Sequence, residues 1–136
     1  MSSPDQTLAF SSNFLFVPGT RPERFSKALD SGATAVVLDL EDAVPEENKE
    51  DARNAIRSAW PNFTDDQKNR LVIRTNSPGS KFYAADLILA QELNVSCILI
   101  PKSESMDQIN GAALILPNTA IIPMIETALG LDHLRE

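Results

Sequence analysis

Short apolar runs alternate with longer amphipathic stretches along the chain. Phe14 to Val17, Ala35 to Leu38, Leu71 to Ile73, Val95 to Ile100 and Ala120 to Ile122 are β-rich and nearly continuous in hydrophobicity. A strand with one wet face alternates, so these runs predict five strands covered on both faces, as in a parallel sheet. The stretches between them predict helices. Pro22 sits at a helix start, and Phe25, Ala28 and Leu29 follow at helical spacing up to a stop at Ser31-Gly32. A second helix opens near Pro45-Glu46-Glu47, where acids favour the positive end of the dipole, and ends at Trp60-Pro61 with Ala52, Ala55, Ile56 and Ala59 on one face. A third is predicted from about Lys81 to Glu92, a fourth from about Ser105 to Leu116, and a fifth from near Thr127 to the chain end. Asp65 to Asn69 reads as a polar loop, and Asn76-Ser77-Pro78-Gly79-Ser80 as the clearest break after a strand. The resulting βαβαβαβαβα order means a parallel α/β sheet with right-handed crossovers.

Composition narrows the class. The 136 residues carry 12 Lys and Arg against 19 Asp and Glu, a formal net charge of −7. No basic stripe exists to displace counterions, so nucleic acid is excluded as a partner. The single cysteine, Cys97, rules out an internal disulfide framework, cannot form a zinc site with the lone His133, and fits a reducing cytoplasm. No apolar run approaches the roughly 20 residues that cross a bilayer, and the first residues show neither a basic nor an apolar leader region. The expectation is a single cytoplasmic domain that makes no membrane contact.

The polar residues fall in one informative place. Pro18-Gly19-Thr20-Arg21 follows the first run, Asp39-Leu40-Glu41-Asp42 the second, Arg74-Thr75-Asn76 the third, Pro101-Lys102-Ser103-Glu104 the fourth, and Pro123-Met124-Ile125-Glu126 the fifth. Each strand exit carries charge. In parallel α/β folds these exits share one rim, the side on which such proteins place their chemistry.

The same segments resemble a known family. Phe14-Leu15-Phe16-Val17-Pro18-Gly19-Thr20-Arg21-Pro22-Glu23-Arg24-Phe25, Val36 through Val44 with its Asp39-Leu40-Glu41-Asp42 core, Ile73-Arg74-Thr75-Asn76, Ile100-Pro101-Lys102-Ser103-Glu104 and Ile125-Glu126-Thr127-Ala128 are similar to the successive motifs of the citrate lyase β-subunit-like proteins of the HpcH/HpaI aldolase superfamily. The five occur in family order, from about Asn13 to Leu131. The resemblance implies a TIM barrel, Mg²⁺ dependence, and cleavage or formation of a C–C bond next to an acyl-CoA thioester.

Chemistry and resemblance together assign expected roles. Arg74 leaves a buried strand toward the rim, where a guanidinium can grip a carboxylate bidentately and polarise a carbonyl, and it matches the family's substrate-binding arginine. The alternative for Arg74 is an ion pair with Asp39 or Glu41 across adjacent strand ends. Glu126 is a hard oxygen donor of the kind Mg²⁺ prefers, and by resemblance the first of two metal carboxylates; without the resemblance it reads as an acid at a helix start. Asp39 and Glu41 are rim candidates that contact metal-bound water or hold Arg74, whereas Asp42 reads as structural. Lys102 meets an anionic substrate or the CoA phosphates, or pairs with Glu104. The turn from Pro18 to Pro22 offers backbone N–H groups at a helix start, with Thr20, Arg21 and Arg24 near enough to help bind a CoA phosphate. Cys97 reads as core, and His133 as surface or interface.

A closed (β/α)₈ barrel needs about 250 residues, and this chain supplies about five of its eight units. By resemblance, a second metal aspartate follows a sixth strand and a neighbouring subunit's extension covers the site. The expectation is therefore the N-terminal portion of such a barrel, single-domain over residues 1–136, inactive alone and self-associating through its open edges. The reaction implied is retro-Claisen cleavage of a 3-hydroxyacyl thioester to an oxo acid and acetyl-CoA. The alternatives are a metal-dependent 2-oxo-acid aldolase without CoA and a non-catalytic binding or assembly module.

Overall fold

The computed structural model of the chain describes residues 13–103 and 105–124. Five strands form one sheet: β1 (Phe14–Pro18), β2 (Ala35–Asp39), β3 (Leu71–Arg74), β4 (Cys97–Pro101) and β5 (Ala120–Met124). Their spatial order is the sequence order, and all four pairings are parallel. The helices α1 (Phe25–Leu29), α2 (Lys49–Ala59), α3 (Asp65–Arg70), α4 (Tyr83–Leu93) and α5 (Met106–Ile115) lie in the connections. Tight 3₁₀ turns at Pro22–Arg24 and Glu46–Asn48 lead into α1 and α2, and a third, Trp60–Asn62, follows α2. These are (β/α) units of TIM-barrel type.

Two expectations needed correction. The segment at Asp65 is a helix, α3, and not a loop. The Gln67 amide donates to Thr64 Oγ1 at 3.1 Å while the Thr64 amide donates to Gln67 Oε1 at 2.9 Å, which closes a capping box on the first turn. Asp65 and Asp66 in the first turn and Lys68 and Arg70 in the last complement the dipole. Ile121 and Ile122, expected to be fully buried, are only half-buried, because among the described residues β5 has a neighbour on the β4 side alone. The helix expected from Thr127 lies outside the described residues.

Alternation along the strands divides the core. Val17, Val36, Leu38, Leu71, Ile73, Ile98 and Ile100 pack with helical residues such as Phe25, Leu29, Ala52, Ile56 and Leu87. Ala35, Val37, Val72, Cys97 and Leu99 point to the opposite face and form a second cluster without any buried helical member. Asp39 continues the Ala35, Val37 series and Arg74 follows Val72 at the same spacing, so both side chains emerge on the helix-free face. Cys97 is fully buried, as the sequence implied.

The sheet's hydrogen bonding continues past the strand ends. The Gly19 amide donates to the Asp39 carbonyl at 2.8 Å, the Leu40 amide to Arg74 at 3.0 Å, and the Thr75 amide to Leu99 at 3.0 Å. The rim backbone is therefore fixed by its neighbours. At Gly19 the packing is too tight for a side chain unless its neighbours shift: a Cβ there would stand 3.0 Å from the Asp39 carbonyl oxygen, 3.1 Å from Ala52 Cβ and 3.3 Å from Ile56 Cδ1. Two of these three neighbours are a backbone atom and a short side chain that cannot rotate away. Gly19→Ala is expected to lower the unfolding free energy of the full-length protein by about 1–3 kcal/mol in urea denaturation. A variant as stable as the parent would show that the β2 exit and α2 yield freely.

Candidate active site

Register brings the rim side chains together. Asp39 pairs with Arg74 across β2 and β3, and Pro18 pairs with Asp39 across β1 and β2. Arg74 Nε donates to Asp39 Oδ1 at 2.8 Å and Nη2 to Oδ2 at 2.6 Å, a bidentate pair. The same two carboxylate oxygens accept the amides of Glu41, at 2.8 Å, and Ala43, at 3.0 Å. The ion-pair alternative for Arg74 is thus realised, and the pairing orients the guanidinium while its Cζ stacks 5.1 Å from the centre of the Phe16 ring.

Glu41 is the second buried acid of the cluster. Its Oε2 lies 3.0 Å from Lys102 Nζ, while Oε1 is buried without a hydrogen-bond partner, 3.7 Å from Arg74 Nη1. Lys102 therefore pairs with Glu41; Glu104, the partner in one of its two expected readings, lies outside the described residues. Lys102 follows β4 directly in a left-handed conformation, φ 54°, one that disfavours side chains with a Cβ by roughly 1–2 kcal/mol.

The two acids titrate in opposite directions. Burial alone raises the Asp39 carboxyl, but the Arg74 guanidinium and the two loop amides outweigh it and hold Asp39 below its ordinary value. Burial pushes the Glu41 carboxyl up; the Lys102 hydrogen bond opposes this and the Asp42 charge adds to it. Asp42 itself is exposed.

A second feature adjoins the cluster. Thr20, Arg21 and Arg24 line a groove with Pro18, Ala43, Pro45 and Asn48, and Ala43 is shared with the loop that wraps Asp39. The expected backbone anion site in this turn is smaller than the sequence implied. The Gly19 amide is bonded to the Asp39 carbonyl and the Arg21 amide to that of Pro18, so two of the turn's donors are engaged within the protein.

Sequence reasoning missed the layer beneath. Lys49 is buried, and its Nζ donates to the carbonyls of Leu40 at 2.8 Å and Glu41 at 2.7 Å. Asp86, fully buried on α4, accepts the Asn76 amide and side-chain Nδ2 at 2.7 Å each, and Arg53 Nη1 at 3.2 Å. Asn76 lies two residues beyond Arg74, so α2 and α4 brace both loops that carry the cluster. Burial raises the Asp86 carboxyl against these donors and lowers the Lys49 ammonium against the surrounding acids. The one legible signal was Asp86, the single charge within the apolar run of residues 83–90.

Among the described residues no group of three or more His, Cys, Asp or Glu side chains comes together to hold a metal. Both Asp39 oxygens are filled by two donors each, which leaves Glu41 Oε1, of these two buried acids, as the oxygen without a hydrogen-bond donor. A hard anionic oxygen of this kind suits Mg²⁺ or a water bound to it. Glu126 lies outside the described residues. No helix among the described residues is long and apolar enough to cross a membrane.

Comparison with known proteins gives a consistent picture. A family model described as HpcH/HpaI aldolase/citrate lyase matches residues 13–136. A citrate lyase subunit beta-like protein of Mycobacterium tuberculosis is 38% identical over 86% of this chain and 39% of its own length. An L-malyl-CoA/beta-methylmalyl-CoA lyase of Rhodobacter capsulatus is 34% identical over 85% of this chain and 35% of its own. Among solved structures, a protein CitE from M. tuberculosis in complex with magnesium, acetoacetate and coenzyme A superposes with a TM-score of 0.73 at 38% identity, over 86% of this chain and 40% of that one. The chain thus spans less than half the length of these relatives.

The depressed Asp39 carboxyl carries a pH signature. It stabilises the fold above the ordinary carboxyl value of 3.8, and that stabilisation disappears as pH falls through and below this value. Asp39→Asn is expected to be about 3–5 kcal/mol less stable than the parent near neutral pH, since it leaves the Arg74 charge unpaired. The gap should narrow as urea denaturation is repeated toward about pH 3. A gap independent of pH would show that the Asp39 carboxyl is not held down.

Proposed function

The chain belongs to the HpcH/HpaI aldolase/citrate lyase family, and from that premise we propose that it forms part of a Mg²⁺-dependent carbon–carbon lyase of the citryl-CoA or malyl-CoA type. The substrate is a 3-hydroxyacyl thioester, and the products are an oxo acid and acetyl-CoA. In this reading residues 1–136 supply the N-terminal units of a (β/α)₈ barrel, which assembles into a homo-oligomer in the cytoplasm. The observation that carries the proposal is the Arg74 guanidinium, oriented on the rim by Asp39, with the open Glu41 Oε1 beside it.

Cleavage takes the proton from the substrate hydroxyl, breaks the bond between C2 and C3, and leaves the electron pair as a thioester enolate that is protonated to acetyl-CoA. Arg74 binds the oxo-acid end, since its guanidinium, held through Nε and Nη2 by Asp39, places positive charge beside the carboxylate and a developing carbonyl. Asp39 holds Arg74 in that orientation. Glu126 would hold the metal, with Glu41 Oε1 accepting from the ion's water, and when bound the ion supplies Lewis acidity to the oxo-acid oxygens. Lys102 adds positive charge at the β4 exit. Thr20, Arg21 and Arg24 receive the CoA phosphates in the adjoining groove.

The test is an assay of the full-length protein with malyl-CoA and citryl-CoA, with and without Mg²⁺, that separately reads acetyl-CoA, oxo acid and free CoA. Cleavage of a CoA-free hydroxy acid instead would favour the aldolase, and no turnover with Mg²⁺ present would favour a binding module. Within the lyase reading, Glu126→Gln is expected to weaken Mg²⁺ binding, whereas Arg74→Ala raises the oxo-acid dissociation constant roughly 10–100-fold, the worth of a charge-assisted hydrogen bond. Calorimetry showing the two variants equally impaired in metal binding would refute this division of roles. A polypeptide ending at Glu136 is expected to show little or no lyase activity and to self-associate in light scattering; full activity from a compact monomer would contradict the site described.

A further inference from the structure

Lys49 is poorly placed for stability alone. It is the first residue of α2, where a cation opposes the helix dipole, and its ammonium is buried. A charge in such a position needs specific partners, and it has them: the consecutive carbonyls of Leu40 and Glu41, at 2.8 and 2.7 Å. The loop those carbonyls belong to is held from its other side by Asp39, whose carboxylate takes the amides of Glu41 and Ala43. The Val44 amide closes the turn onto the Glu41 carbonyl at 3.1 Å. Main-chain acceptors thus face an ammonium and main-chain donors face a carboxylate, which fixes the backbone from which the Glu41 side chain reaches the rim.

We propose that Lys49 is a positioning residue for Glu41: its buried ammonium ties the Leu40 and Glu41 carbonyls and so sets where Glu41 stands relative to Arg74 and Lys102. Its importance for turnover rests on the lyase reading above; its hold on the loop does not. Lys49 is separated from the rim by the loop and acts through the backbone. Arg53, one helical turn on, performs the matching task for the other arm through Asp86 and Asn76, so α2 is the common brace of the cluster.

The test compares Lys49→Met, which keeps the volume and removes the donors, with Lys49→Arg, which keeps donors and charge, in the full-length protein. Amide hydrogen exchange is the activity-independent arm. Exchange at Glu41, Ala43 and Val44 is expected to accelerate at least tenfold in Lys49→Met, with Val72 and Ile73 in β3 unchanged, and to recover in Lys49→Arg. Loop amides that exchange no faster in Lys49→Met would overturn the proposal, as would acceleration spread evenly over the sheet, which marks general destabilisation. In the kinetic arm, Lys49→Met should lower kcat roughly 10–100-fold with KM changed less than threefold, and Lys49→Arg should restore most of kcat. A mobile loop with unchanged kcat would also overturn it. If the parent protein cleaves no thioester, the lyase reading fails, and the exchange arm alone decides whether Lys49 holds the loop.

Discussion

The carboxylate of Asp39 is the constraint on which the rim depends. It accepts four hydrogen bonds, two from the Arg74 guanidinium and two from the amides of Glu41 and Ala43. One group therefore joins β2 to β3, orients the arginine and shapes the loop that bears the next acid. Burying an anion is expensive, and only a full set of donors offsets the lost hydration.

The charges around it form a graded set. Asp39 is saturated with donors and stays ionised, whereas Glu41 keeps one oxygen without a hydrogen-bond partner and is destabilised as an anion by burial. In the proposed site these two neighbouring acids with opposed environments would divide the work, one fixing geometry and the other meeting a ligand. Beneath them Lys49, Arg53 and Asp86 are buried or nearly so and bonded to backbone or to each other. This layer gives the exposed chemistry a rigid footing.

Much of this was legible because apolar runs and strand exits are local signals. The five runs matched the five strands to within about two residues, and adjacent exits made the Asp39 and Arg74 pairing one of two readings for the arginine. Helix α3 was missed because Asp65 through Arg70 holds no apolar residue and so has no hydrophobic period, although Thr64 and Gln67 stood at capping-box spacing. Burial of Ile121 and Ile122 was overestimated because hydrophobicity does not report how many neighbours a strand has. Lys49 was invisible for another reason: its partners are main-chain carbonyls, which every sequence contains. The full engagement of the Gly19 and Arg21 amides likewise depends on where β2 and the turn at Pro18 fall in space.

The sheet's sequential order has a consequence for biosynthesis. Among the described residues every strand after β1 pairs with the strand made just before it, so none of these four pairings awaits a distant part of the polypeptide. Sequential pairing of this kind requires no loop longer than one β/α unit to close and permits growth by accretion, one unit docking on the exposed edge as it leaves the ribosome. The Asp39 and Arg74 bond can then form as soon as β3 emerges, before the β4 exit that carries Lys102 has been translated. Assembly of the site would begin at its most buried ion pair and proceed outward in the order of the message.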